Sequence, residues 1–288
     1  MHYTGRILRL WRSIPPAATC IPRGVEMLRS ILIRIVNSPV VIEIVNSPVL
    51  FFGTFFLFRA CLWIPIERLW RAKSISYRQV ATRDFAAQLF HVFFVVPVVV
   101  YIYDRLFAYS GFSKEIAKFP MLARIAVYFL ISDFGYYWVH RLMHTRPFWR
   151  THQWHHSPTY MYWLAGCRAT VPHQFLVTSS YLLAAPILKP SRWWVYTMLV
   201  IFSYLDVDWM HLNVPWGGRV LEWFLVTPRF HHIHHSSDPK YYNSNMGNVF
   251  TFWDRLFGTF IDPATINEKE MTFGINESVS PVRLIAGL

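Results

Sequence analysis

The chain has 288 residues, of which 54% are hydrophobic, 18% aromatic and only 15% charged, whereas soluble domains are typically about 25% charged. This composition argues against an ordinary soluble protein. The net charge of +12 does not indicate a nucleic-acid partner, because the arginines are scattered among aromatic residues and form no single basic stripe.

The first 48 residues differ from the rest in charge. Up to residue 34 they carry six arginines against a single acid, Glu26. The stretch lacks a clean apolar core and a cleavage site, so it is not typical of a signal peptide. We expect residues 1–48 to form a basic N-terminal arm, partly disordered or lying at a membrane surface.

Apolar segments follow the arm and predict membrane helices. Their approximate bounds are residues 49–66, 85–103, 121–139, 174–188 and 193–210. The second segment contains no Asp, Glu, Lys or Arg and reaches the length of a membrane helix. The first is interrupted by Gly53, Arg59 and Pro65, so we expect a partial or re-entrant element there. The short link at 189–192 predicts a helical hairpin.

The loop between the first two segments is the most basic one, which places it in the cytoplasm. Its charges are Arg68, Arg71, Lys73, Arg78 and Arg83. Passing out through the second segment and back through the third then brings the histidines after residue 139 to the cytoplasmic face. The predicted fold is an all-α, polytopic membrane helical bundle with a cytosolic cap. We assign residues 49–265 to this membrane domain and residues 266–288 to a C-terminal tail.

Two histidine-rich stretches, residues 140–156 and 231–235, stand out from this background. His140 and His144 are four residues apart, so on a helix both imidazoles point from one face. The rest of the first stretch has the spacing HxxHH, and the second stretch repeats it. These two copies comprise His152, His155, His156, His231, His234 and His235.

Neutral imidazole is the commonest metal ligand in proteins and suits iron, copper and zinc. Eight such histidines exceed the four ligands of a tetrahedral zinc ion, so their number predicts two metal ions at a membrane surface. The three cysteines show no CxxC spacing and predict neither a disulfide framework nor a metal site. A lone histidine near a membrane is more often packed or interfacial, and we interpret His2 and His91 in that way.

The order and spacing of HRLMH, HQWHH and HHIHH resemble the three histidine boxes of the fatty acid hydroxylase/sterol desaturase superfamily. The stretch 245–260, NMGNVFTFWDRLFGTF, is similar to the family signature N-x-G…WDxxFGT. The resemblance covers roughly residues 85–262. It implies a non-haem centre of two iron ions that activates O2 to hydroxylate or desaturate a lipid.

The same resemblance assigns ligand roles to the eight histidines, and His211 in MHLNV matches a further family histidine. The expected ligands are His140, His144, His152, His155, His156, His211, His231, His234 and His235. His232 points away from the face of its neighbours, so we expect a supporting or surface role. Thr170 stands where the family has a histidine in the order Arg-x-His-Pro. His173, three residues later, either replaces that histidine or packs in the hairpin.

A site made only of imidazoles is heavily cationic, so we expect nearby carboxylates to offset its charge and orient ligand N–H groups. Asp133 is the leading candidate, because it lies seven residues before His140 on one helical stripe. An acid within a membrane segment is also costly unless it is paired. Further candidates, each equally consistent with a helix cap or an arginine partner, are Asp206, Asp208, Asp238 and Asp254.

The expected activity is O2-dependent hydroxylation of a fatty acyl, sterol or alkylglycerol-like lipid, with desaturation at the same site as the alternative. A metal transporter or sensor fits less well, because the histidines gather at one face. A zinc hydrolase needs a Glu directly after the first His of HRLMH, and Arg141 stands there. Without a haem, flavin or dinucleotide motif, electrons come from a separate donor of the cytochrome b5, ferredoxin or pterin type. A lipid enters from the bilayer, which predicts an apolar tunnel ending beneath the metals.

Overall fold

The computed structural model describes residues 47–106, 118–188 and 192–288, together with isolated positions between 27 and 38. Within these residues the chain is all-α, as predicted, and β pairing is limited to two isolated bridges, Leu225 with Phe250 and Ser236 with Phe273. Most of the predicted N-terminal arm and the start of the hairpin link at 189–192 lie outside the described residues.

Ten α-helical segments carry the fold in the described part of the chain, joined by turns and short 3-10 helices. They are α1 Pro48–Leu69, α2 Tyr77–Phe90, α3 Val96–Leu106, α4 Met121–Met143, α5 Trp149–Gln153, α6 Val171–Ala184, α7 Arg192–His211, α8 Pro228–His234, α9 Phe252–Leu256 and α10 Pro281–Ala286. A π-helical turn, His91–Val95, joins α2 to α3 without a break.

Among the described residues, two helices are long and apolar enough to cross a membrane, by length and composition alone: Val49–Leu69, within α1, and Val80–Arg105, which runs through α2 and α3. The expected re-entrant element requires a turn inside the first segment, whereas α1 is one continuous helix that contains Pro65. The predicted third, fourth and fifth segments are helices as well, namely α4, α6 and α7. Their membrane crossing stays a prediction.

Backbone contacts group Leu62–Leu288 as one compact unit and the residues up to Cys61 as another. In the larger unit, α4 packs against α6 through a core of aromatic and aliphatic side chains that includes Tyr136 and Tyr181. The helices approach closely at Gly135, where a Cβ atom would lie 3.3 Å from that of Ser180. This packing fixes the last turns of α4, which carry the first two histidines.

Two buried carboxylates hold the segment between α5 and α6. Glu67 accepts hydrogen bonds from the backbone amides of Trp163 (2.7 Å) and Asn213 (2.8 Å). Asp84 accepts from the Tyr162 hydroxyl at 2.5 Å and from the Arg168 guanidinium at 2.6 Å. Because these groups lie on different helices and loops, they anchor the segment that follows the second histidine box.

Candidate metal centre

The first histidine pair stands at the end of α4. His140 is fully buried in the last turn, and His144 is the C-terminal capping residue. Their backbones are linked by the last helical hydrogen bond, from the amide of His144 to the carbonyl of His140 at 3.1 Å. The four-residue spacing therefore places both rings on one face, as predicted.

The second box begins in the short helix α5 and continues into the turns after it. His152 lies in the helix, whereas His155 and His156 follow its end at Gln153. The amides of both later residues bond to the carbonyl of His152. These tight turns keep the three rings close together. Because they depart from regular helix geometry, the rings do not all point in one direction.

The third box is α8 together with its capping residue, His235. The helix starts at Thr227, whose hydroxyl accepts from the amide of Phe230, and Pro228 occupies the first turn. His211 comes from the last turn of α7. All four box-three histidines and His211 are buried.

The nine predicted ligands converge into two groups, and in each the potential ligand atoms lie within 4.8 Å of one another. Cluster A consists of His140, His144, His152, His156 and His234. Cluster B consists of His155, His211, His231 and His235. The second and third boxes thus contribute to both clusters, a division that the HxxHH spacing alone does not reveal.

Three of the rings bond to backbone carbonyls through their outer nitrogen. The Nδ1 atoms of His140, His234 and His211 lie 2.8, 2.9 and 2.7 Å from the carbonyl oxygens of Met246, Ser244 and Val207. A carbonyl only accepts, so in each case Nδ1 carries the proton and donates it. The Nε2 lone pair of each ring then points inward, which is the tautomer that a metal ligand needs.

The inward Nε2 atoms approach one another closely. In cluster A, His152 lies 3.0 Å from His140 and 3.1 Å from His156. In cluster B, His235 lies 3.0 Å from His231 and 3.1 Å from His211. Where both nitrogens of such a pair carry lone pairs they repel each other, and a cation between them would stabilise the arrangement. The buried Nε2 of His144, without a hydrogen-bond partner in the described residues, fits the same group.

Burial also sets the charge of the rings. It lowers the pKa of His144, His152, His155, His156, His231, His234 and His235 well below the usual value, and neighbouring histidines lower it further. These imidazoles are therefore neutral at pH 7. Neutral nitrogen donors without a bound proton are what a divalent metal ion requires.

Comparison with known proteins agrees with this geometry. Residues 125–259 match the family model described as fatty acid hydroxylase. These residues belong to the fatty acid hydroxylase family. The match lies inside the range expected from the histidine boxes and the tail signature, and it includes all nine clustered histidines.

Relatives of this fatty acid hydroxylase domain carry the names of lipid-oxidising enzymes. An alkylglycerol monooxygenase of Xenopus tropicalis is 31% identical over 53% of this chain and 33% of its own length. An ornithine lipid hydroxylase of Rhizobium tropici is 31% identical over 51% of this chain and 44% of its own. A putative methylsterol monooxygenase of Dictyostelium discoideum is 27% identical over 80% of this chain and 87% of its own.

Coverage of these relatives is uneven. The chain spans a quarter to a third of the length of the alkylglycerol monooxygenases that it matches. No solved structure matches the chain significantly.

Two further predicted histidines lie outside both clusters of the hydroxylase domain. His173 places its Nδ1 atom 2.9 Å from Nδ1 of His152, on the side of that ring facing away from cluster A. Thr170 caps α6 and accepts from the amide of His173, which fixes the position of that residue. His232 is 1% exposed and lies 2.6 Å from the Glu268 carboxylate, so it is outside both clusters, and the surface position that was the alternative for it is wrong.

Asp133 has a different role from the one expected. Its buried carboxylate accepts from the backbone amides of Val249 and Phe250 and from the indole of Trp253, at 2.8 to 3.1 Å. Among the described contacts it binds no histidine. Asp133 therefore connects α4 to the tail signature at residues 245–260. Its effect on the clusters is indirect, through the loop that this signature forms.

The other candidate acids, like Asp133, accept hydrogen bonds from groups other than the clustered histidines. Asp206 accepts from Asn248, Asp208 from the indole of Trp63, and Asp238 from the backbone and side chain of Lys240. Asp254 accepts from the amides of Met246 and Gly247. It thereby holds the peptide whose carbonyl receives the proton of His140.

The residues of the tail signature, 245–260, form a tight loop, and this geometry accounts for the Asn and Gly of the pattern. Asn245 adopts a positive φ of 51° and bonds to the carbonyls of Phe230 and Ile261. A Cβ atom on Gly247 would lie 2.5 Å from the Phe250 carbonyl oxygen and 2.8 Å from Asp254. The N-x-G…WD pattern thus builds a tight loop that presents backbone carbonyls to cluster A. Sequence reasoning missed these carbonyl partners, although the signature itself was visible.

Proposed function

We propose that the chain is a membrane-bound, non-haem di-iron oxygenase that uses O2 to hydroxylate an unactivated C–H bond of a lipid. The observation that supports this best is the sorting of nine histidines into two clusters with inward-facing nitrogens. Both the family match and the names of the relatives favour oxidation of a lipid.

In this proposal cluster A holds one iron ion and cluster B the other. Bound iron would supply the oxidant for C–H cleavage, for which side chains alone have no equivalent. The protein holds the imidazoles neutral and oriented, chiefly by burial and by the carbonyls of Met246, Ser244 and Val207. His173 supports His152 from outside and is not itself a ligand.

The overall reaction requires a reductant. Hydroxylation inserts one oxygen atom of O2 into the C–H bond and reduces the other to water, which consumes two electrons and two protons. We assign these electrons to a separate donor of the cytochrome b5, ferredoxin or pterin type. The relatives are named monooxygenases and hydroxylases, which favours hydroxylation over desaturation.

We further propose that the helices form a polytopic membrane bundle with both clusters at its cytoplasmic face. The two helices capable of crossing a membrane support membrane insertion. The arginines and lysine between residues 68 and 83 support the orientation, because basic loops favour the cytoplasm.

The proposal is tested with purified protein, a lipid substrate, a chemical reductant and O2 labelled with the heavy oxygen isotope. We expect a product that gains one labelled oxygen atom, detected by mass spectrometry of the extracted lipids. Product formation from labelled water instead of labelled O2 contradicts an oxygenase. A product that lacks two hydrogens and carries no label identifies a desaturase.

A further inference from the structure

A cavity of about 340 Å³ lies directly against cluster A. Three members of the cluster line it, His144, His156 and His234, and no member of cluster B does. One of these three is His144, whose Nε2 atom is buried without a hydrogen-bond partner in the described residues. A molecule in this cavity therefore touches the rings of cluster A.

The remaining walls of the cavity are rich in polar side chains. They include Arg146, Gln153, Asn243, Asn276 and Glu277, with the rings of Trp149 and Tyr242 between them. The amide of Gln153 donates to Glu277 at 3.1 Å, and that of Asn276 donates to the Tyr242 hydroxyl at 3.0 Å. A polar group in the cavity finds hydrogen-bond partners among these side chains, while the carbon atoms that supply most of the exposed lining suit the carbons next to such a group.

The volume agrees with a head group. The cavity takes a head group and its first few carbons, and the remainder of a lipid extends beyond it. An apolar slot between α3, α6 and α7 measures only about 70 Å³, so it does not provide the expected acyl tunnel.

A cationic groove continues from the cavity, since Arg146, Trp149, Gln153 and Glu277 line both. Arg150 and Arg283 also line it, giving three arginines against one glutamate among the side chains there. On α10, beside the groove, Val282 is 77% exposed. Arginines next to exposed apolar side chains are typical of a surface that meets lipid head groups.

We propose that this cavity is the head-group site of the substrate. A lipid bearing a phosphate or carboxylate places its head group there, with the anionic oxygens on Arg146, since guanidinium pairs with such groups through two hydrogen bonds. The carbon that meets cluster A then lies within a few bonds of the head group. The oxidation itself rests on the proposed function, whereas lipid binding needs neither metal nor O2.

The test measures binding of dioctanoyl phosphatidic acid to the full chain in uncharged detergent micelles, with dioctanoylglycerol and inorganic phosphate as separate arms. Arg146→Gln should weaken phosphatidic acid binding about tenfold and leave dioctanoylglycerol binding unchanged. Arg219→Gln is the matched control, because Arg219 is exposed and lies outside the cavity and the groove. Inorganic phosphate should bind far more weakly than the lipid.

Equal affinity of wild type and Arg146→Gln for phosphatidic acid overturns the head-group site, and so does phosphate binding as tight as that of the lipid. In turnover, a hydroxyl group on the half of the lipid distant from the head group overturns it as well. If the lipid binds as expected but the chain holds no iron and forms no product, the head-group site stands and the proposed function fails.

Discussion

Clusters A and B are built from the same residue type yet differ in their surroundings. Cluster A has five histidines, one of them only half-buried, and it borders the cavity of about 340 Å³. Cluster B has four histidines that are 0 to 6% exposed. On the proposed head-group site, cluster A meets the lipid, whereas the residues of cluster B are buried and do not line the cavity.

The two clusters are also supported differently. Two rings of cluster A bond to carbonyls of the loop at residues 244–246, which depends on Asn245, Gly247 and Asp254 for its shape. In cluster B, His211 bonds to the carbonyl of Val207 one turn earlier in its own helix. Changes in the tail signature should therefore disturb cluster A first.

The largest effect is expected from removal of a single ligand from either cluster. His231→Ala should reduce bound iron from two ions per chain to one and abolish product formation, and His144→Ala should do the same through the other cluster. Metal analysis by mass spectrometry measures this. His232→Ala is the control from the same helical turn, since His232 contacts Glu268 instead of a cluster. Equal loss of iron in all three variants would contradict two separate clusters.

Loss of the support behind His152 should have the next largest effect. His173→Leu removes the group 2.9 Å from Nδ1 of His152, so we expect iron affinity to fall about 10- to 100-fold. His173→Gln retains a hydrogen-bonding oxygen and should restore most of that affinity. Iron titration of the metal-free protein gives the values. If the leucine and glutamine variants behave alike, His173 contributes only packing.

A smaller effect is expected where the tail loop is tight. Gly247→Ala forces a Cβ atom to within 2.5 Å of the Phe250 carbonyl oxygen, which should cost about 2 kcal/mol of folding stability. The change should weaken metal binding at cluster A more than at cluster B. Gly53→Ala is the matched control, because nothing lies within 4 Å of its new Cβ atom. Unfolding in denaturant and metal titration report the two effects, and equal stability of both variants would refute a tight loop.

A pH dependence of the folding stability is expected at Asp254. Burial raises the pKa of this carboxyl from 3.8 to about 6. A pKa that is higher in the folded state makes ionisation unfavourable for folding, so its stabilising contribution is complete below about pH 4. It falls as the pH rises to about 6, by up to about 3 kcal/mol, and is constant above. The stability difference between wild type and Asp254→Asn should follow this curve; a flat difference from pH 4 to 8 contradicts it.

Much of the site could be predicted from sequence, because helical spacing and the tail signature are local patterns. The nine clustered histidines are the nine expected from the boxes and His211. Their division was hidden, since it depends on the turns after Gln153 that send His155 to one cluster and His156 to the other. Asp133 was misread for a similar reason: its partners, Val249 and Phe250, lie more than a hundred residues away.

We propose that the nine clustered histidines hold two iron ions, one in each cluster. Metal analysis of the purified wild-type chain, expressed with iron supplied, tests it directly. We predict close to two iron ions per chain and little zinc or copper. One metal ion per chain, a predominance of zinc, or no tightly bound metal would contradict the account.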